Sequence, residues 1–204
     1  MKSRPSNPSS ARPPRQSKEF FERILIAGAG GQGIIVLGKL IAVSALKTIP
    51  HITCFPNYGA EVRGGASNSQ VFLSSREIGA PIADRFESLI LMDQESVNNY
   101  LGSLAPGGLA LVNKSRCRAK SSDSILALDA SAEAEKMGDA RVANLIMLGA
   151  WIVRKPILEM DQVEDGIRRM FGGKALTLVE LNLRALRRGL ELGESANGRR
   201  PARH

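Results

Sequence analysis

The feature that most constrains this chain is the passage from an apolar run, Arg23-Ile-Leu-Ile-Ala27, through Gly28-Ala-Gly-Gly-Gln-Gly33 into a second run, Ile34-Ile-Val-Leu-Gly-Lys-Leu-Ile-Ala42. The first run reads as a buried strand and the second as a helix, so the glycines mark a tight strand-to-helix turn. Such a turn brings bare backbone N–H groups and the positive end of a helix dipole to one point, which suits an anion or a closely packed neighbour.

The rest of the chain continues the alternation. Strands are predicted at 52–55, 66–73, 88–93, 109–113 and 125–128, and helices at 94–104, 132–137, 142–155, 161–171 and 174–190. Asp129 or Ser131 is placed to cap the helix from 132, and Asp161 with Glu164 forms a capping-box-like start for the next but one. Strands alternating with helices long enough to cross a sheet imply an α/β fold, a Rossmann-like three-layer sandwich with a mainly parallel sheet. Residues 66–82 break that rule. Ser74-Ser-Arg-Glu77 reads as a tight turn and Ile78-Gly-Ala-Pro-Ile82 as a short returning edge, because Pro81 would spoil a central ladder, so an antiparallel edge hairpin is expected. One domain is expected over residues 19–190, between disordered tails at 1–18 and 191–204.

The net charge of +8 over 204 residues suggests nucleic acid until its location is considered. The two ends carry +5 (residues 1–18) and +4 (residues 184–204), leaving −1 for the folded part, and no aromatic residues interleave the terminal arginines as a single-strand reader would need. No nucleic-acid partner is expected. The longest apolar runs, such as Asn144–Val153, stop well short of a membrane span and are bounded by Arg141 and Arg154, so no membrane partner is expected either. Cys54 and Cys117 form no Cys-x-x-Cys pair, suit a reducing cytoplasm, and are too few to hold a cubane cluster. The N-terminal tail lacks the hydrophobic core of a secretory signal.

Gly28, Gly30 and Gly33 satisfy the dinucleotide fingerprint in its strand-turn-helix context. The acidic residue about twenty positions on, which would hold the ribose, is missing, since 51–55 read His-Ile-Thr-Cys-Phe. A structural turn or another anion site fits better. The second signal is the loop Tyr58-Gly-Ala-Glu-Val-Arg-Gly-Gly65, where three glycines let a partner come close to Tyr58, Glu61 and Arg63, or simply form a surface turn. His51 has no carboxylate near it in sequence, Asp93 either serves a ligand or caps the next helix, and Trp151 reads as core. None of these amounts to a catalytic apparatus.

The two glycine loops followed by Ser74-Ser-Arg-Glu-Ile-Gly-Ala-Pro81 resemble the gamma subunit of the 2-oxoacid:ferredoxin oxidoreductases. The resemblance runs on through Leu128-Asp-Ala130, Asn144-Leu-Ile-Met-Leu-Gly149 and Asn182-Leu-Arg-Ala-Leu186. It is most similar to the 2-oxoglutarate branch, while pyruvate, branched-chain oxoacid, indolepyruvate and phenylglyoxylate enzymes share the pattern. The resemblance implies a subunit, inactive alone, of a cytoplasmic heteromer that oxidatively decarboxylates a 2-oxoacid, reduces ferredoxin and passes the acyl group to coenzyme A. It implies that thiamine diphosphate, magnesium and iron–sulfur clusters sit on alpha, beta and in some cases delta subunits, with no catalytic residue, metal or cofactor held by this chain alone. Coenzyme A would be shared: Gly28, Gly30, Gly31, Gln32 and Gly33 would lie near the acyl acceptor, and Tyr58, Glu61, Arg63, Gly64 and Gly65 would contact substrate or partner subunits. The basic tails depart from the family pattern. The alternative is a free-standing nucleotide-binding regulatory or scaffold protein.

Overall fold

The computed structural model describes residues 19–58, 66–173 and 176–197. Six strands, β1 (Phe21–Ala29), β2 (His51–Tyr58), β3 (Ala66–Ser74), β4 (Phe86–Leu91), β5 (Leu104–Asn113) and β6 (Ile125–Leu128), form one sheet in the order β2-β3-β1-β4-β5-β6. The interleaved helices are α1 (Ile34–Ala45), α2 (Gln94–Tyr100), α3 (Ala130–Lys136), α4 (Ala143–Arg154), α5 (Met160–Phe171) and α6 (Leu176–Asn197). None of them is long and apolar enough to cross a membrane. The sheet is mainly parallel, with β1, β4, β5 and β6 running together and β3 alone reversed between β2 and β1.

An antiparallel hairpin does lie at the sheet edge, but β2 and β3 form it, not residues 66–82. β3 is paired along both sides, with Val71 opposite Ile24 on one and Cys54 on the other, so neither side is free for a returning strand. Residues 75–85 instead carry the chain from the end of β3 past β1 to the start of β4. The other differences are at ends: β5 begins at Leu104 rather than near 109, and α6 continues past Leu190 to Asn197. Two caps also move. The capping box of α5 is Glu159 with Gln162, not Asp161 with Glu164. The Asp129 side chain does not cap α3; the first turn is held from outside by Asn113 Oδ1, which accepts the Ser131 N–H (3.2 Å), and Ser115 Oγ, which accepts the Ala132 N–H (3.2 Å). Residues 1–18 and 198–204 lie outside the described residues.

Strand alternation splits the core into two layers. Ile24, Ile26, Val71, Leu73, Ile90, Leu111 and Leu126 face α1, α3, α4 and α5, while Leu25, Ala27, Leu89, Leu91, Ala110 and Val112 face α2 and the segment after β5. Helix α4 is buried on all sides over Ala143–Ile152 and apolar there except for Asn144, because α6 covers its outer side. The two helices meet backbone to backbone. A Cβ on Gly149 would lie 2.1 Å from the Leu186 carbonyl oxygen, and one on Gly189 would lie 2.0 Å from that of Ile146.

A short polar chain crosses this core. The Trp151 indole N–H donates to Ser88 Oγ (2.8 Å), whose hydroxyl donates to Glu22, and Lys155 Nζ approaches Glu22 at 3.4 Å. Glu22 is only 6% exposed, and desolvation raises its pKa above 4.5 despite the opposing pull of Ser88 and Lys155.

Two expected outcomes follow from this packing. Gly189→Ala should destabilise the fold by about 1–3 kcal/mol, outweighing the roughly 1 kcal/mol that alanine gains in helix propensity. Gly193→Ala, whose Cβ meets Ala150 at 3.0 Å, should cost less, and chemical denaturation of both variants measures the contrast. Glu22 titrates higher in the folded than in the unfolded chain, so its contribution to stability is full below about pH 4.5 and is lost as pH rises through the folded value. Denaturation of Glu22→Gln against the parent from pH 4 to 8 should show the glutamine gaining relative stability as pH rises. Emission from Trp151, the one tryptophan, should follow the same titration in the parent alone.

Candidate functional site

The candidate residues gather on the C-terminal edge of the parallel strands. After β1 the chain turns into α1 on one face of the sheet, and after β4 into α2 on the other, so the edge between β1 and β4 is a topological switch point, where ligands of open α/β sheets gather. Register brings the two sequence motifs to this edge. Gly28 pairs with Ser67 and Ala29 with Ala66, while Tyr58 pairs with the same Ser67 from the other side. The ends of the loop that joins β2 to β3 are therefore one and two strands from the glycine turn. Tyr58 closes β2; Glu61, Arg63, Gly64 and Gly65 fall outside the described residues.

Within the turn the residues do different work. Gly33 is the N-cap of α1 with φ 73°, a left-handed conformation that disfavours side chains, and Gly31 has φ 90°. A Cβ on Gly33 would meet Asn144 Nδ2 at 2.3 Å, and one on Gly28 would meet Gln32 Oε1 at 2.3 Å and Met92 Cβ at 2.9 Å. Gln32 folds back so that its Oε1 accepts the Ala29 N–H at 2.8 Å. The space beside Gly28 and Gly33 is thus filled by the protein itself. Gly30 and Gly31 are exposed, and nothing lies within 4 Å of the Cβ position of Gly31.

Helix α1 starts without a side-chain cap and without an acidic residue in its own first turn, so among the described residues no side chain caps its leading N–H groups. Their outlet is the exposed rim at Gly30 and Gly31. The cleft between the turn and α2, bounded by Gly28, Ser67, Asp93, Ser96 and Tyr100, has a volume of only about 10 Å³. It is closed by Ser67 Oγ donating to the Gly28 carbonyl (3.3 Å) and Asn68 Nδ2 donating to the Tyr100 hydroxyl (3.1 Å). Asn68 Oδ1 has no hydrogen-bond partner among the described residues. The crevice itself is too small to enclose a ligand.

Other candidates resolve as structure. Asp93 caps α2, accepting from the Ser96 N–H (2.9 Å) and Ser96 Oγ (2.7 Å). His51 stands at the opposite end of β2 from the glycine turn, and Trp151 is fully buried. The missing ribose carboxylate has a topological cause: β3 occupies the place beside β1, and the end of β2 is displaced by a further strand, roughly 5 Å. Sequence reasoning missed Asn144, whose Nδ2 donates to the Gly33 carbonyl at 3.2 Å while its Oδ1 accepts the Leu145 N–H. Its signal was one buried amide in an otherwise apolar helix.

Gly33→Ala should cost about 1–2 kcal/mol from the left-handed backbone alone, with a steric penalty from Asn144 on top. In an Asn144→Ala background the steric part should vanish, so a double-mutant cycle on unfolding free energies should return a coupling of about 0.5 kcal/mol or more.

Comparison with known proteins places this geometry. Residues 23–192 match the family described as pyruvate ferredoxin/flavodoxin oxidoreductase. The ketoisovalerate oxidoreductase subunit VorA of Methanothermobacter thermautotrophicus is 34% identical over 182 residues, covering 87% of this chain and 38% of that relative. The chain therefore spans well under half the length of that relative. The 2-oxoglutarate synthase subunit KorC of the same organism is 31% identical over 161 residues, covering 74% of this chain and 85% of the relative. Among solved structures, the keto/oxoacid ferredoxin oxidoreductase gamma subunit from Geobacter sulfurreducens superposes with a TM-score of 0.70 at 27% identity, covering 87% of this chain and 98% of that one. The 2-oxoglutarate:ferredoxin oxidoreductase from Magnetococcus marinus, at 23% identity, has the same fold over 88% of this chain, with a TM-score of 0.78, and this chain covers 32% of it. By its sequence over residues 23–192 and by its fold, the chain belongs to the pyruvate ferredoxin/flavodoxin oxidoreductase family.

Proposed function

We propose that this chain is the gamma subunit of a cytoplasmic 2-oxoacid:ferredoxin oxidoreductase, most similar to the 2-oxoglutarate type, and that it completes the acyl-acceptor side of an active site assembled with alpha and beta subunits. The observation that carries the reading is the start of α1, without a side-chain cap, next to the exposed Gly30 and Gly31 on the sheet edge where β2 ends at Tyr58 and β3 begins at Ala66. Overlap over 87% of this chain with a structure named as a gamma subunit supports it, as does a relative named for 2-oxoglutarate. The Magnetococcus enzyme is described with 2-oxoglutarate, coenzyme A and succinyl-CoA bound.

The residues present fit a contact with an anionic carrier and not a redox centre of their own. Two cysteines lie on opposite faces of the sheet, Cys54 toward the helical layer and Cys117 toward α2, so they cannot share a cluster. Thiamine diphosphate with magnesium, on a partner subunit, would supply the decarboxylation, and iron–sulfur clusters there would carry electrons to ferredoxin. In this reading the N–H groups at Gly30, Gly31 and the first turn of α1 orient phosphate oxygens of coenzyme A, with Gln32 holding the turn in shape. Tyr58, Glu61, Arg63, Gly64 and Gly65 meet substrate or the partner subunit and exclude water from the joint.

Co-purification tests the assignment. The tagged chain should bring down a brown complex containing thiamine diphosphate that reduces ferredoxin or viologen only with a 2-oxoacid and coenzyme A. A colourless chain that binds a nucleotide alone would sink it in favour of a regulatory protein. Within the complex, Arg63→Ala should lower kcat/KM by roughly tenfold or more, the loss expected for removing one charged contact; an unchanged value would remove Arg63 from the site.

A further inference from the structure

We infer that the basic groove between α2 and the segment following β5 holds a phosphate ester of the acyl acceptor, through Arg116 and Arg118. The inference rests on the acyl-acceptor reading above and deepens it. Residues 114–120, Lys-Ser-Arg-Cys-Arg-Ala-Lys, carry four cations and no acid. Lys114 is partly neutralised by Asp129 at 3.2 Å and Arg116 by Glu135 at 3.6 Å, whereas Arg118 and Lys120 form no ion pair among the described residues. Local charge is therefore in excess of what the fold itself consumes.

Shape points to a small ligand. The groove has a volume of about 690 Å³, within the range of roughly 300–1,000 Å³ usual for small-molecule sites, and Gln94 and Asn98 line it opposite the arginines. Gln94 ties the wall together, its Oε1 accepting the Arg118 N–H at 2.8 Å and its Nε2 donating to Asn98 Oδ1 at 2.9 Å. The root of the Arg118 side chain is thus fixed to α2. Cys117 also lines the groove, and burial, with a smaller push from Asp93, raises its thiol to about 11, so it adds no negative charge at neutral pH. A planar guanidinium pair matches phosphate oxygens better than lysines would.

Position links the groove to the glycine turn. Ala27, Leu91 and Val112 are level across β1, β4 and β5, so Gly28 and Asn113, the residue before Lys114, stand two strand spacings apart, roughly 10 Å. The two anion-seeking features therefore suit one extended ligand, a nucleoside diphosphate with its diphosphate at Gly30 and Gly31 and an additional phosphate in the groove.

The test uses the assembled complex with coenzyme A and 3′-dephospho-coenzyme A as alternative acceptors. The parent should show a KM for coenzyme A about tenfold below that for the dephospho form, the scale of one charge-assisted contact. Arg116→Gln with Arg118→Gln should raise the first KM about tenfold and leave the second within about twofold, removing the preference; Arg116→Lys with Arg118→Lys should restore part of it and guards against a folding defect. A parent without the preference, or equal rises for both acceptors, would overturn the inference. A raised KM for ferredoxin with that for coenzyme A unchanged would reassign the groove to an acidic protein partner. Turnover independent of either acceptor would instead remove the acyl-acceptor reading itself.

Discussion

The structure depends on how β1 is held. Its central residues, Ile24–Ala27, are at most 1% exposed, paired antiparallel to β3 on one side and parallel to β4 on the other. A strand locked on both sides and both faces can release its chain only at its ends. The chain after β1 leaves on the helical side and the chain after β4 leaves on the α2 side, so two helix starts converge at the edge between them. The same arrangement explains why a glycine fingerprint stands without its acidic companion. The reversed β3 fills the position from which a parallel strand would deliver a ribose-binding carboxylate, so the turn retains its N–H groups while losing the reader of a dinucleotide.

The core and the edge are coupled through α4. This helix is buried on every side because α6 lies against it with glycines at Gly149 and Gly189 where the backbones touch. Its first turn carries Asn144, whose amide holds the Gly33 carbonyl and occupies the space a side chain there would need. Near its last turn Trp151 and Lys155 bind the polar pair Ser88 and Glu22 at the far end of the sheet. One helix therefore makes contacts at both ends of the sheet, by a hydrogen bond at the glycine turn and by the Trp151 hydrogen bond and Lys155 ion pair at the other end.

Much of this was legible from local pattern. The strand-turn-helix at 23–42, the alternation beyond it and the burial of Trp151 follow from hydrophobic period and glycine placement, which are local quantities. Pairing was not. Residues 78–82 look like a strand because they combine β-formers with turn residues, yet no free side of β3 exists for them, and that is a property of β1 and β2. The same holds for caps: Asp129 has the right residue type for α3, but Asn113 and Ser115, on the end of a neighbouring strand, reach the helix start first. Asn144 was hidden for the same reason, since its role depends on a contact across more than a hundred residues.

The glycine turn divides its residues between two purposes, and that division says what kind of site it is. Gly28 and Gly33 are glycines because Gln32, Met92 and Asn144 occupy the space around them, so they serve the chain's own packing. Gly31 meets no such neighbour, and Gly30 and Gly31 are both exposed. With the adjoining crevice reduced to about 10 Å³, the edge offers donors and positive charge on a surface and little enclosure. Donors on an open surface bind an anion weakly while water competes for them, and gain strength when a second body covers them and lowers the local dielectric. A chain built this way gains a tight site only when another subunit closes over it, which is how the chemistry of an assembly can depend on a subunit that carries none of it alone.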